Sequence, residues 1–163
     1  MHPRRPLCRP LTCALPASVL ELVDVLTPNE VEAKVLAGRD PDDTSEPEEV
    51  ARQLIRRGVK QVVMTLGEKG ALIVSGTSST HVPAARMSAV DTTGAGDAFN
   101  AGLATALASG AGLESGVRFA VITGGLAVTR EGVIPSLPQR EEVLAYHRQN
   151  ELTVPGWFAP VSA

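Results

Sequence analysis

Apolar positions along this chain switch between two periods, and the switches mark its elements. Gln61-Val62-Val63-Met64-Thr65-Leu66 is an apolar, β-branched run too short for a helix, which predicts a buried strand. It stops at Gly67, and Gly70 precedes Ala71-Leu72-Ile73-Val74, a second strand, so Gly67 to Gly70 predicts a hairpin turn. Val23-Asp24-Val25-Leu26 predicts a short strand ahead of these. Thr80-His81-Val82-Pro83 predicts one behind them, at a sheet edge because proline donates nothing to a ladder. Elsewhere the period is helical. Val50, Leu54 and Ile55 make a stripe with Arg52, Arg56 and Arg57 on the solvated side, and Gly58 stops the helix. Phe99, Leu103 and Leu107 anchor a helix built mostly of small residues. Leu113 opens another, where Phe119, Ile122 and Leu126 alternate with Ala120, Gly124, Gly125 and Ala127, a set suited to close packing against the helix before it. Glu141 to Gln149 closes the series on Val143, Leu144 and Tyr146. This alternation predicts an α/β fold, a mostly parallel sheet flanked by helices.

Helix starts are written as capping boxes, a hydroxyl followed three residues later by an acid. Ser18 with Glu21, Thr27 with Glu30 and Ser45 with Glu48 fit, and Pro28 suits the first helical position of the second. If Thr27 and Glu30 satisfy that helix end, Asn29 and Glu32 are left free on neighbouring positions of one face. They are then either solvent-facing polarity or ligand groups. Residues 1–15, with Pro3, Pro6 and Pro10 among arginines, read as irregular; residues 16–150 read as one domain; residues 151–163 form a tail that Trp157 and Phe158 can dock.

Composition narrows the function. At 163 residues the chain has the length of one domain, able to bury about 70% of its unfolded surface. A net charge of −3 and a pI of 5.6 argue against nucleic acid as a partner, which wants a basic face. No apolar run approaches the roughly 20 residues of a membrane span. Pro6, Pro10 and Pro16 interrupt any signal-peptide core, and Cys8 and Cys13 form no disulfide framework, so cytoplasm is expected.

Val90-Asp91-Thr92-Thr93-Gly94-Ala95-Gly96-Asp97-Ala98-Phe99 carries the chemistry. It reads as an extended segment turning sharply into a helix. The first N–H groups of a helix lack internal partners and carry about +0.5 charge, so a glycine-rich turn feeding them makes an anion site suited to phosphate. Asp97 beside such a site either complements the helix end or takes a proton from an attacking hydroxyl.

These residues resemble the C-terminal signature of the ribokinase-like carbohydrate kinase family. So do three other elements in family order: Thr27-Pro28-Asn29-Glu30-Val31-Glu32, similar to its Asn-x-x-Glu element; Thr65-Leu66-Gly67-Glu68-Lys69-Gly70, similar to its nucleotide loop; and Gly132-Val133-Ile134-Pro135-Ser136-Leu137-Pro138, similar to a late loop of ribokinases. The resemblance covers roughly residues 16–148. It implies ATP-dependent phosphorylation of a sugar hydroxyl, most favourably ribose to ribose 5-phosphate. Asp97 would be the base in contact with the sugar, and Gly94, Ala95 and Gly96 the anion hole. The nucleotide would be held by Asn29, Thr65, Leu66, Gly67, Glu68, Lys69, Gly70, Gly96 and Asp97. Glu32 would act on Mg²⁺ through water, with Asn29 helping to order phosphate. Val121 would face the adenine, where many relatives carry a polar residue, so that base selectivity is loose. A monovalent cation, usually K⁺, would be held by Asp91 and Ser136 with the backbone oxygens of Thr93, Ala127, Arg130 and Gly132.

The resemblance stops short of the family's N-terminal half. The sugar-binding acids, the Gly-Gly hinge and the β lid through which relatives pair have no counterpart here. A truncated sheet is expected to leave an unpaired edge and an exposed apolar face. Two functions follow: a sugar or nucleoside kinase, or a nucleotide-binding fragment or interaction module without turnover.

Overall fold

The computed structural model describes residues 15–158. In chain order its elements are α1 (Ala17–Leu20), β1 (Val25–Leu26), α2 (Glu30–Ala37), α3 (Pro47–Arg56), β2 (Gln61–Thr65), β3 (Ala71–Ser75), β4 (Ser78–Val82), α4 (Ala95–Ala108), α5 (Leu113–Ala127) and α6 (Arg140–Gln149), with 3₁₀ turns at Gly67–Lys69 and Gly156–Phe158. The irregular segment expected before Leu15 lies outside the described residues. Two compact units divide the chain. One holds residues 15–67 with Leu72–His81, the other Glu68–Ala71 with residues 82–158.

The first unit carries the sheet, in the order β1-β2-β3-β4. β1 runs parallel to β2, with Val25 opposite Gln61 and Leu26 opposite Val62. β3 and β4 are separated by Gly76 and Thr77 alone, a connection that joins only antiparallel neighbours. Strand residues alternate faces. Val62, Met64, Leu72 and Val74 meet Ala33 and Ala37 of α2 and Val50, Ala51 and Leu54 of α3 in one core. Val63, on the opposite face of β2, is fully buried as well. β4 lies last in the sheet and ends before Pro83, as its proline predicts.

None of the three expected caps forms: α2 uses Asn29 in place of Thr27, and the other two helices have no side-chain cap. Ser18 falls inside α1, which starts after Pro16 with no side-chain cap. α3 starts at Pro47 with Glu46 at the cap position and no side-chain cap. Pro47 has no N–H to satisfy, and it holds the residue before it in extended geometry, so the helix begins without Ser45. Ser45 instead accepts from Arg39 and donates its N–H to Asp43 Oδ1 at 2.7 Å. Glu48 pairs with Arg52 at 2.7 Å and accepts from the Ser79 hydroxyl at 2.9 Å. The arginines expected on a solvated face are partly structural. Arg52 donates to the carbonyls of Gly76 and Thr77, each at 3.1 Å, and so holds the β3–β4 turn. Arg57 donates to the carbonyls of Leu36 and Leu15.

The second unit is helical. α4 and α5 pack closely because glycines line the contact. A Cβ added at Gly102 would lie 2.1 Å from Thr123 Oγ1, and one at Gly124 3.2 Å from the Ala95 carbonyl. Beyond them Ala106, Phe119, Ile122, Val143, Leu144 and Phe158 form a second core. The tail docks as expected. Phe119 meets Phe158 edge-on with ring centroids 4.5 Å apart and Trp157 at 5.0 Å. No helix among the described residues is long and apolar enough to cross a membrane.

Candidate functional site

The turn into α4 leaves the helix N-terminus without a side-chain cap. Gly94 sits at its N-cap position with φ 84°, a left-handed conformation that a residue with a Cβ resists. Ala95 N–H donates to the Thr92 carbonyl at 3.3 Å, and Ala98 N–H donates to the Gly94 carbonyl at 2.9 Å in the first intrahelical bond. Between them Gly96 and Asp97 have no acceptor within the helix ahead of them. The site is open: nothing lies within 4 Å of where a Gly96 Cβ would stand, and Asp97 is exposed in the first turn. Helix geometry thus puts one carboxylate beside N–H groups that face solvent.

The segment before the turn is tied to the 132–138 loop through Asp91. Its Oδ1 accepts from Thr93 N–H at 2.9 Å and its Oδ2 from Gly132 N–H at 3.1 Å. The Thr93 hydroxyl and N–H, with Gly132 N–H, hold the Asp91 carboxyl below the usual carboxylate range. The Val128 carbonyl accepts from both Val90 and Asp91 N–H, at 2.7 and 3.2 Å. Ser136 is fully buried and donates to the Val133 carbonyl at 2.8 Å. Val133 in turn covers one side of the turn: a Cβ at Gly94 would lie 3.1 Å from Val133 Cγ1. That contact went unseen in the sequence, because nothing local links positions 94 and 133. A carboxylate, a buried hydroxyl and the closing carbonyls of α5 are the donor class of a hard cation, and a helix C-terminus favours positive charge. The Asp91 and Ser136 set therefore fits a monovalent cation chemically, with Thr93 and Gly132 drawn in through Asp91.

In the first unit the cap of α2 corrects the sequence reading. Asn29, not Thr27, is the N-cap. Its Oδ1 accepts from Glu32 N–H at 2.9 Å, and Glu32 Oε2 accepts from Asn29 N–H at 3.0 Å. The two residues expected to be free are thus bonded to each other. The cause is the sheet. Thr65 N–H donates to the Pro28 carbonyl at 3.0 Å, and Asn29 pairs with Thr65 in a parallel bridge, so the chain stays extended two residues longer than the local pattern implies. The result brings Asn29, Glu32 and Thr65 together. Glu32 Oε1 takes no part in the box, which suits a carboxylate acting on a metal through water. Asn29→Ala should lower stability by about 1 kcal/mol in urea unfolding; an unchanged midpoint would show the box to be idle.

Gly67 and Gly70, at φ 57° and 100°, bracket the predicted nucleotide loop. Gly67, Glu68 and Lys69 are exposed on its 3₁₀ turn, while Gly70 is buried. Gly70 abuts the segment after β4: a Cβ there would stand 2.1 Å from the Val82 carbonyl and 2.5 Å from Ala84 N. Val82 and Pro83 continue into a mostly apolar cleft of about 350 Å³, whose other wall includes Val121 and Ile122 of α5. His147 of α6 lies at its base, buried, with no hydrogen-bonding partner in good geometry on either ring nitrogen. Burial pushes its imidazole below the usual range, opposed only by the nearby Thr153 backbone.

Residues 5–140 match the model of the pfkB family carbohydrate kinases. The chain belongs to that family. Among curated members it is 39% identical to the ribokinase of Arabidopsis thaliana over 134 residues, covering 80% of this chain and 35% of that one. It is 37% identical to the deoxyribokinase of Salmonella typhi over 128 residues, covering 78% and 42%. The ribokinase structure from Thermotoga maritima superposes with a TM-score of 0.76 at 38% identity, over 81% of this chain and 44% of that one. That of Arabidopsis thaliana ribokinase complexed with ribose and ATP gives 0.74 at 34%, over 82% and 44%. The fold is therefore ribokinase-like α/β, and the chain spans less than half the length of these pfkB-family relatives.

Proposed function

We propose that this chain is the nucleotide-binding and catalytic part of an ATP-dependent sugar kinase, with ribose, phosphorylated to ribose 5-phosphate, as the favoured acceptor. The observation that carries this is the open left-handed turn at Gly94, with Asp97 exposed in the first turn of α4. In this reading the sugar hydroxyl oxygen attacks the γ-phosphorus of ATP as its proton passes to the Asp97 carboxylate. The bond between that phosphorus and the β–γ bridging oxygen breaks, and ADP leaves. The N–H groups of Gly94 and Gly96, joined by that of Ala95 when it leaves the Thr92 carbonyl, stabilise charge growing on the transferred phosphoryl, an effect worth about 3–4 kcal/mol for a well-placed donor. Asn29 and the Thr65, Leu66, Gly67, Glu68, Lys69 and Gly70 segment hold the nucleotide, largely through backbone, with Val121 giving the base apolar contact. Glu32 would hold Mg²⁺ through water, and the ion would supply charge neutralisation of the phosphates. Asp91 and Ser136, with the oxygens of Thr93, Ala127, Arg130 and Gly132, would hold K⁺, whose charge would stiffen the turn. The setting of this reading is the cytoplasm, where a chain with two cysteines and no disulfide framework in its sequence keeps them as thiols.

A second reading is favoured by one observation, the share of the relatives that the chain spans. In it the chain binds nucleotide without turnover, or works only with a complementary half that supplies the sugar site. Deoxyribose, fructose or a nucleoside replaces ribose in further variants of the first reading. Ribose-dependent ADP release by the isolated chain separates the two. Turnover is expected under the first; ATP binding with no release at any sugar tested removes it in favour of the second.

A further inference from the structure

Past α6 the chain turns back along the second unit. Glu151 adopts φ 54°, and Leu152 N–H donates to the His147 carbonyl at 2.9 Å. At its far end Phe158 is buried against Phe119, and its carbonyl accepts from Arg140 Nη2 at 2.6 Å while the Arg140 guanidinium lies 4.4 Å over its ring. The segment between is a strap pinned at both ends. Leu152, Thr153 and Pro155 of this strap line the 350 Å³ cleft together with Val121, Val82 and Pro83. The match to the family model ends at residue 140, so this wall lies beyond the matched stretch.

The cleft also adjoins the nucleotide loop, since Gly70 packs on the backbone of Val82–Ala84 and Val82 and Pro83 of that segment line the cleft. A mostly apolar cavity of a few hundred Å³ with a few polar groups has the size and character of a small-molecule site. One opening beside a phosphate-binding loop suits the flat, largely apolar end of the same ligand. We propose that the strap from Leu152 to Pro155 closes the base end of the nucleotide site, making Leu152 a positioning and affinity-determining residue for the heteroaromatic base. This rests on the nucleotide reading given above. The apolar contact that Val121 offers is completed by the strap, so selectivity for the base is tighter than Val121 alone implies.

The test uses the full chain and two probes, ATP and inorganic tripolyphosphate, which lacks the base. Leu152 is 44% exposed, so Leu152→Glu leaves the fold intact while placing a charge on the cleft wall. ATP binding measured by calorimetry should weaken at least fivefold, with tripolyphosphate unchanged. Trp157, the one tryptophan in the chain, stands 5.0 Å from Phe119, which also lines the cleft, so its emission should change with ATP and not with tripolyphosphate. Unchanged ATP affinity in Leu152→Glu, or equal affinity of the parent for ATP and tripolyphosphate, overturns the strap's role and leaves the kinase reading standing. Failure of the parent to bind either probe overturns both.

Discussion

Asp97→Asn is expected to lower phosphoryl transfer by a factor of 10²–10⁴ or more while nucleotide binding stays within a few-fold of the parent. The substitution keeps the shape of the side chain and removes its capacity to hold a proton. Asp97 is exposed and its neighbours Ala98 and Phe99, not Asp97 itself, are buried against the unit's interior, so the fold should be unaffected. Loss of its charge from the helix N-terminus costs about 0.3–1 kcal/mol at most, and the same loss relieves repulsion of an incoming phosphate. The two readouts therefore move apart: single-turnover ADP formation collapses, and the ATP dissociation constant holds or falls. The measurement is made on whichever form turns over, the isolated chain or the chain with its complementary half. Turnover retained in Asp97→Asn would reduce the carboxylate to a helix-end charge and remove the assignment of a base.

The largest structural effect is expected at Gly70. Its φ of 100° excludes ordinary side chains, and an added Cβ would meet three backbone atoms at once: the Val82 carbonyl oxygen at 2.1 Å, Ala84 N at 2.5 Å and the Pro83 carbonyl carbon at 2.7 Å. Flexible side chains swing aside from such a clash; backbone does not. Gly70→Ala should therefore destabilise by about 3–5 kcal/mol, combining left-handed strain with overpacking. Gly67→Ala is the control. Its φ is also positive, at 57°, but nothing lies within 4 Å of the added atom, so it should lose only about 1–2 kcal/mol. Urea midpoints at constant slope read the difference. If both variants lose the same amount, the close approach of the loop to the Val82–Ala84 segment is wrong, and with it the adjacency of loop and cleft.

Strand and helix identities were legible wherever one local rule sufficed. The β2 run, the terminating prolines and glycines, the small-residue face shared by α4 and α5, and the aromatic docking of Trp157 and Phe158 all follow from residue type and spacing. The turn into α4 was legible for the same reason, since Gly94, Ala95 and Gly96 leave the backbone bare where the helix begins. Capping was not. Thr27 with Glu30, and Ser45 with Glu48, satisfy the local pattern as well as the pair actually used. At α2 the bridge between Asn29 and Thr65 holds the chain extended past Thr27, and at α3 Pro47 keeps Glu46 extended so that the helix starts beyond Ser45.

What the sequence determined by itself, then, is the set of elements, the family and the glycine-rich turns, because each depends on neighbours within a few positions. What only the tertiary structure decided is which polar groups are spoken for and which surfaces meet. Asn29 and Glu32 bond to each other, Asp91 bridges Thr93 to Gly132, Val133 covers Gly94, and the strap beyond α6 becomes a wall of the cleft. Apart from the Asn29–Glu32 box, whose choice was made by strand pairing, these contacts join residues far apart in the chain. Their partners are chosen by packing, which no local pattern encodes.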